Sequence, residues 1–329
     1  MHPTTLRAIT RITTAVAFGL ACCALPAHAA DKYPAKPIRM IVPHSPGSTA
    51  DMVARTVAEG LGNRLGQPVY VENNAGAAGI PGTRQLTTAA ADGYTIAIVS
   101  SNHATNPGLY KHLPYDSIKD ITPISVVGTS PMVMVVSGDS PFKTVQDIVA
   151  AAKAKPGSIS FGSSGKGTIL HLAAEMFLAK TGVKMLHVPY RGVNTMMTDL
   201  MGGQIQLAFL GIPSALPQIK AGKLLALGVT TPNRAESLPN VPTLAEAGVK
   251  DYAYEAWVAM IGPANLPPAI TEKLQAEVGK VLATPAAREV FSAQGFVPVG
   301  STPALASQTI KSEIDRSLAL IKGASISAE

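Results

Sequence analysis

Serine, threonine and glycine gather at two places where a β-branched run gives way to an amphipathic stretch. In the first, Ile38 to Val42 leads into Ser45, Pro46, Gly47, Ser48 and Thr49, and a helical pattern starts near Asp51. In the second, Ile159 to Phe161 leads into Gly162, Ser163, Ser164, Gly165, Lys166, Gly167 and Thr168, ahead of a helical pattern holding His171 and Glu175. A strand, a hydroxyl-rich glycine loop and a helix together suit an anion. Unpaired N–H groups and the helix dipole attract it, glycine lets it approach the backbone, and hydroxyls add donors. A carboxylate fits either loop, and a diacid bridges both. The same residues also serve as plain helix caps and turns, so the loops by themselves leave both readings open.

Arg191 adds a cation. It stands in Tyr190-Arg191-Gly192, after the run Met185 to Val188 and before a helical pattern. That is the carboxyl end of a parallel strand, where α/β sheets bind ligands, and a guanidinium there suits a bidentate carboxylate contact. Arginines at strand ends also pair with neighbouring acids.

Catalytic and cofactor motifs are absent. GSSGKGT at 162 to 168 falls short of a phosphate-binding P-loop, which needs glycine at Ser160 and a hydroxyl residue at Gly167. GAAG, Gly76 to Gly79, lacks dinucleotide-loop spacing and reads as a turn. His171 and Glu175 share a helical face without a second metal-ligand pair, and read as a structural pair. No GxSxG occurs for serine hydrolysis. The chain therefore reads as a binding protein, without enzyme activity, cofactor or metal.

These residues need elements to hold them. Short β-branched runs alternate with amphipathic stretches up to Leu224 to Val229, the pattern of an α/β protein. Beyond Trp257 to Ile261 the chain is mainly helical, with candidates at Pro268 to Ala283, Pro285 to Ser292 and Pro303 to Ile321. A length of 329 residues, 47 % of them apolar and 15 % charged, predicts two lobes with full cores.

The N-terminus has the form of a secretory signal. Arg7 and Arg11 precede an apolar stretch, Ala15 to Leu25, that ends in Ala27-His28-Ala29, predicting cleavage after Ala29. Both cysteines, Cys22 and Cys23, fall inside it, so the mature chain has no disulfide or thiolate chemistry. Cleavage leaves 25 Lys and Arg against 21 Asp and Glu, a net charge of +4. The scattered basic residues argue against nucleic acid and suit an anionic small molecule.

The motifs taken in order resemble one family, the tripartite tricarboxylate transporter receptors, or Bug proteins. The resemblance runs through YPAKPIRMIVPHSPGSTADMVAR (33 to 55), VENNAGAAGIPGT (71 to 83), DGYT (92 to 95), FGSSGKGTILHLAAEMF (161 to 177), HVPYRG (187 to 192) and EAWVAMIGPANLPPAI (255 to 270), covering nearly the whole mature chain. It implies the type II periplasmic binding fold, α/β with two lobes of mainly parallel sheets joined by two crossing strands. Residues 31–130 and 254–329 would form the first lobe and 131–253 the second, with the ligand between them.

The resemblance further implies a monomeric periplasmic receptor that passes a small carboxylate to integral-membrane transporter subunits. A sensory receptor docking on a histidine kinase is the alternative. The implied ligand residues are Ser45, Gly47, Ser48 and Thr49 in the first loop, and Ser163, Ser164, Gly167, Thr168 and His171 in the second. Ser100, Ser101 and Asn102 line the first lobe, and Arg191 the second. The pattern departs at Ser48, where the family carries a second glycine; a side chain there either adds a hydrogen bond or alters the loop's backbone angles.

Overall fold

Alternating buried runs and capped helices generate two sheets of closely matching design in the computed structural model, which describes residues 33–327. The predicted signal segment, with Cys22, Cys23 and the cleavage site after Ala29, lies outside the described residues. The chain divides after Ala35, and both sheets belong to the unit 36–329.

The first half supplies β1 (Ile38–Val42), α1 (Thr49–Leu65), β2 (Val69–Asn73), α2 (Ile80–Thr87), β3 (Thr95–Ser100), α3 (Asn102–Leu109) and β4 (Ile121–Ser130). The middle supplies β5 (Met132–Ser137), α4 (Val145–Ala154), β6 (Ser160–Ser163), α5 (Ile169–Thr181), β7 (Leu186–Pro189), α6 (Val193–Met201), β8 (Leu207–Gly211), α7 (Ile212–Lys220) and β9 (Leu224–Val229). The chain then returns through β10 (Ala256–Pro263), α8 (Pro268–Leu282), α9 (Pro285–Ala293), β11 (Val297–Pro298) and α10 (Pro303–Gly323).

One sheet runs β11-β4-β10-β3-β1-β2 and the other β7-β6-β8-β5-β9. In the first, β1, β2, β3 and β4 point one way and β10 inserts antiparallel between β3 and β4. In the second, β6, β7, β8 and β9 share a direction and β5 inserts antiparallel between β8 and β9. The sheets are therefore mainly parallel in strand direction, and each accepts one reversed strand just after the chain crosses over, the first sheet adding the short reversed β11 at its edge. As a result β1 and β6 hold the same place in their sheets, so the two glycine loops are equivalent positions of one pattern.

Two segments carry the chain between sheets, Pro131 outbound and Tyr252 to Glu255 on return. Thr230 ties them together. Its N–H donates to Met132 O at 2.9 Å, its carbonyl accepts from Tyr254 N–H at 2.9 Å, and its Oγ1 accepts from Met132 N–H at 3.1 Å. Arg316 of α10 adds a bond to Ala253 O and lies over the Tyr254 ring at 5.2 Å. Trp257 is buried in the first sheet's core with Ile310 and Ile314, which fits its reading as a packing residue. Burial of apolar surface at about 25 cal/mol per Å² stabilises both cores.

Candidate ligand-binding site

Each glycine loop is closed by the same four-residue device. In the first, Ser48 caps α1 with φ −68° and ψ 159°, and its Oγ accepts from Asp51 N–H at 3.3 Å. Gly47 has φ 76°, and its N–H donates to Asp51 Oδ2 at 2.8 Å. In the second, Thr168 caps α5 with φ −69° and ψ 160°, and its Oγ1 accepts from His171 N–H at 3.4 Å. Gly167 has φ 73°, and its N–H donates to His171 Nδ1 at 3.0 Å. A left-handed glycine, a hydroxyl cap and an acceptor four residues on thus recur, with Asp51 in one loop and His171 in the other. Ser48 sits in ordinary extended backbone, so the departure from a second glycine adds a cap without strain.

The device leaves specific donors over. The N–H groups of Thr49 and Ala50 at the start of α1, and of Ile169 and Leu170 at the start of α5, have no hydrogen bond among the described residues. Together with the helix dipoles they form a cationic mouth at each loop. Ser45 and Thr49 are exposed and Ser164 is half-buried, so these hydroxyls are accessible.

Behind the first loop Asp51 is 1 % exposed. Burial pushes its carboxyl up, but hydrogen bonds from Arg55, Asn73 and Gly47 outweigh that and hold it below the usual value. Arg55 Nε lies 3.0 Å from Oδ2 and Asn73 Nδ2 2.8 Å from Oδ1, while Asn73 also reaches His44 O at 3.1 Å. The site therefore holds an ionised, buried acid whose oxygens accept from Gly47, Arg55 and Asn73.

Behind the second loop lies a stack of rings. His171 and His187 are 3.8 Å apart between centroids and tilted by 12°, with Phe161 4.9 Å beyond His187. His171 reaches Glu175 Oε1 through Nε2 at 3.2 Å, which makes His171 and Glu175 a structural pair. His187 Nε2 lies 2.6 Å from Ser163 Oγ, which accepts from Gly165 N–H at 3.2 Å. Burial, then the neighbouring His171 and Lys166, lowers the His187 pKa to about 4. Its ring is neutral at physiological pH.

Three of the expected ligand residues are buried and hydrogen-bonded within the protein. Ser163 is fully buried and His171 is 3 % exposed, both spent on the loop itself. Ser101 is also buried, since its N–H and Oγ bond Trp257 O at 3.1 and 3.3 Å while Oγ accepts from Trp257 N–H at 2.8 Å. Sequence tells which residues a loop contains but not which way a hydroxyl turns. Ser100 and Asn102 remain half-buried, with Asn102 N–H donating to Ser100 Oγ at 3.4 Å.

Arg191 and Lys166 are both exposed, and neither forms an ion pair among the described residues. Tyr190 N–H donates to Ser163 O at 2.9 Å, which sets the Tyr190–Arg191 turn beside the second loop. Tyr190 Oη takes up the nearby acid, donating to Asp199 at 2.8 Å. The second loop reaches the first sheet's side as well, since a Cβ on Gly167 would come within 2.7 Å of Leu109 Cδ2 at the end of α3.

One feature escaped the sequence reading. Ala77 and Ala78 hold φ of 40° and 54°, strained for residues with a Cβ. Their turn is clamped by Asn106, whose Nδ2 donates to Ala78 O at 3.1 Å, and by Gly79 packed on Pro43 at the root of the first loop. GAAG, read as a plain turn, gave no sign of this strain at the root of the first loop.

Two sheets in this arrangement, with paired anion-suited loops, define a periplasmic binding protein fold. The chain belongs to the tripartite tricarboxylate transporter family receptors, whose family model matches residues 53–326. It is 36 % identical over 311 residues to Protein BugT of Bordetella pertussis, covering 94 % of this chain and 95 % of the relative. Among solved structures it is similar to an R. palustris protein with adipate, at 32 % identity and TM-score 0.71, covering 89 % of this chain and 99 % of that one. It is also similar to MatC from Rhodopseudomonas palustris with bound malate, at 25 % identity and TM-score 0.68, covering 88 % and 100 %. Among the described residues no helix is long and apolar enough to cross a membrane.

Proposed function

We propose that this protein, exported by cleavage after Ala29, is a monomeric receptor that captures a small dicarboxylate between its lobes and delivers it to membrane subunits of a tripartite carrier. Residues 31–130 with 254–329 form the first lobe and 131–253 the second. The observation that carries this reading is the matched pair of loops. Each keeps its backbone N–H donors at a helix start while its cap and the residue four beyond the glycine are satisfied from within. One carboxylate suits each mouth, and Lys166 and Arg191 add uncompensated positive charge on the second side. The adipate and malate held by similar proteins are both dicarboxylates, which supports the class.

No bond is made or broken in this function. A ligand bridging both loops stabilises the closed form by its differential affinity for closed over open. The crossing segments beside Thr230 are the natural hinge, being two short stretches already tied to one another.

Calorimetric titration of residues 30–329 with adipate, malate, benzoate and acetate tests this. Dicarboxylates are expected to bind at least tenfold more tightly than the monocarboxylates. Arg191→Ala is expected to lower dicarboxylate affinity tenfold or more, the scale of one charge-assisted contact. Equal affinity for mono- and dicarboxylates, or an unchanged Arg191→Ala, contradicts the two-mouth reading.

A further inference from the structure

The second sheet has an opposite end, away from the glycine loops, where its positive charge collects. β6, β7, β8 and β9 all start there and β5 ends there, so the loops before or after each of them meet. Gly138 N–H donates to Lys223 O at 2.9 Å, Lys143 Nζ donates to Gly138 O at 3.3 Å, and Gly157 N–H donates to Lys184 O at 2.9 Å. α5 and α7 end at the same face, with Lys180 and Lys220 in their last turns. Lys143, Lys155, Lys180, Lys184, Lys220 and Lys223 are all exposed, and none forms an ion pair among the described residues.

The acids beside these lysines are Asp139 in the loop after β5 and Asp147 in the first turn of α4. The Asp147 carboxylate is taken by the N–H groups of Lys143 and Thr144. These six lysines outnumber the two acids by four. One lysine per helix end would satisfy the dipoles. The excess is a field of one sign on one face.

Within this face opens a cavity of about 510 Å³, lined by Phe142, Ile159, Met201 and Ile205 together with three serines, Asp139 and Gln206. A partly apolar pocket on a face rich in exposed lysines suits protein docking, in which a bulky side chain anchors and the surrounding charge steers. A bilayer surface would use the lysines but has no need of a pocket of side-chain size.

We propose that this end of the second lobe docks a protein whose contact surface is acidic around one projecting aromatic side chain. The ring enters the cavity, where Asp139 accepts an indole N–H, and carboxylates on the partner face the six lysines. Because the face lies at the far end of the sheet from the ligand loops, docking is independent of the cleft's occupancy.

The test uses the mature protein and a capped peptide of six Asp and Glu residues flanking one Trp. Binding is read by fluorescence anisotropy at low and high salt. The peptide is expected to bind, to weaken about tenfold or more between 50 and 500 mM salt, and to lose about tenfold when Trp is replaced by Ala. The triple variant Lys143→Glu, Lys184→Glu and Lys223→Glu is expected to abolish binding while keeping the wild-type affinity for adipate or malate, which also shows that it folds. Absence of peptide binding, or equal binding of the Trp and Ala peptides, overturns the proposal. Binding to phosphatidylglycerol vesicles but not to the peptide overturns it too, and assigns the face to lipid.

Discussion

The ionised Asp51 behind the first loop gives the sharpest test of how the site is built. Asp51→Asn keeps the shape and removes the charge. Oδ2 now serves Gly47 and Arg55, and Oδ1 serves Asn73. An amide has one oxygen and one NH2, so one of these donors must face another donor whichever way it is turned. Asn73 cannot flip to relieve this, because its Nδ2 also holds His44 O and its Oδ1 accepts from Arg55. Arg55 is half exposed and keeps its hydration, so the loss is confined to the charge-assisted hydrogen bonds, about 1.5–3 kcal/mol. At an unfolding entropy of about 2.1 cal/mol/K per residue, a chain of about 300 residues loses about 2.5–5 °C in Tm.

The pH dependence carries a sign. The folded carboxyl sits below its ordinary value of 3.8, so its contribution is present above that value and is lost as pH falls through the folded pKa. Thermal unfolding followed by circular dichroism should therefore show the full gap between wild type and Asp51→Asn at pH 7, closing below about pH 4. A gap under about 1 °C at pH 7, or one that stays constant down to the lowest pH at which both proteins fold, would refute the argument that an ionised Asp51 holds the loop.

Three further outcomes follow from the second loop. Gly167→Ala places a Cβ at φ 73° and 2.7 Å from Leu109 Cδ2, so it should cost at least about 1 kcal/mol; adding Leu109→Ala should recover the steric part, and strict additivity in urea denaturation would deny the contact. Ser163→Ala strips His187 Nε2 of its partner and should cost about 1–3 kcal/mol, whereas an unchanged midpoint would mean the 2.6 Å contact contributes nothing. NMR titration of His187 should give a midpoint near 4; because that lies below the ordinary 6.5, stability from this group is present above pH 6.5 and drains away as pH falls toward 4, and a midpoint near 6.5 would contradict the buried stack.

Much of the scaffold is written in local pattern. The run IRMIV and the apolar stretch before Gly162 read as strands because β-branched residues pack on buried sheets, and Ser48 and Thr168 read as caps because hydroxyls satisfy helix starts. Two helices did not announce themselves. α3 is NHATNPGL, whose Asn, Thr, Pro and Gly all disfavour helix, and α7 is IPSALPQIK with Pro213 and Pro217. Packing overrides propensity there: Gly108 admits Ile321 and Gly295 admits Pro213, contacts between residues remote in sequence. For the site, the loops and Arg191 were legible as chemistry, while the inward turn of Ser101, Ser163 and His171 was set by Trp257, Gly165, Gly167 and His187. The strain at Ala77 and Ala78 lay equally beyond local pattern, since it depends on Asn106 and Pro43.

The closure of each loop by its own fourth-next residue separates two tasks that a binding site usually mixes. Asp51 and His171 accept from the glycine N–H of their own loops, so each loop's shape is set from within. Under the proposed function, discrimination falls to residues such as Asn102 and Arg191, which the loops do not need for their shape. A receptor built this way can drift from one acid to another by exchanging rim side chains, at little cost to folding, and the same division makes it a practical starting point for redirecting binding toward a chosen carboxylate.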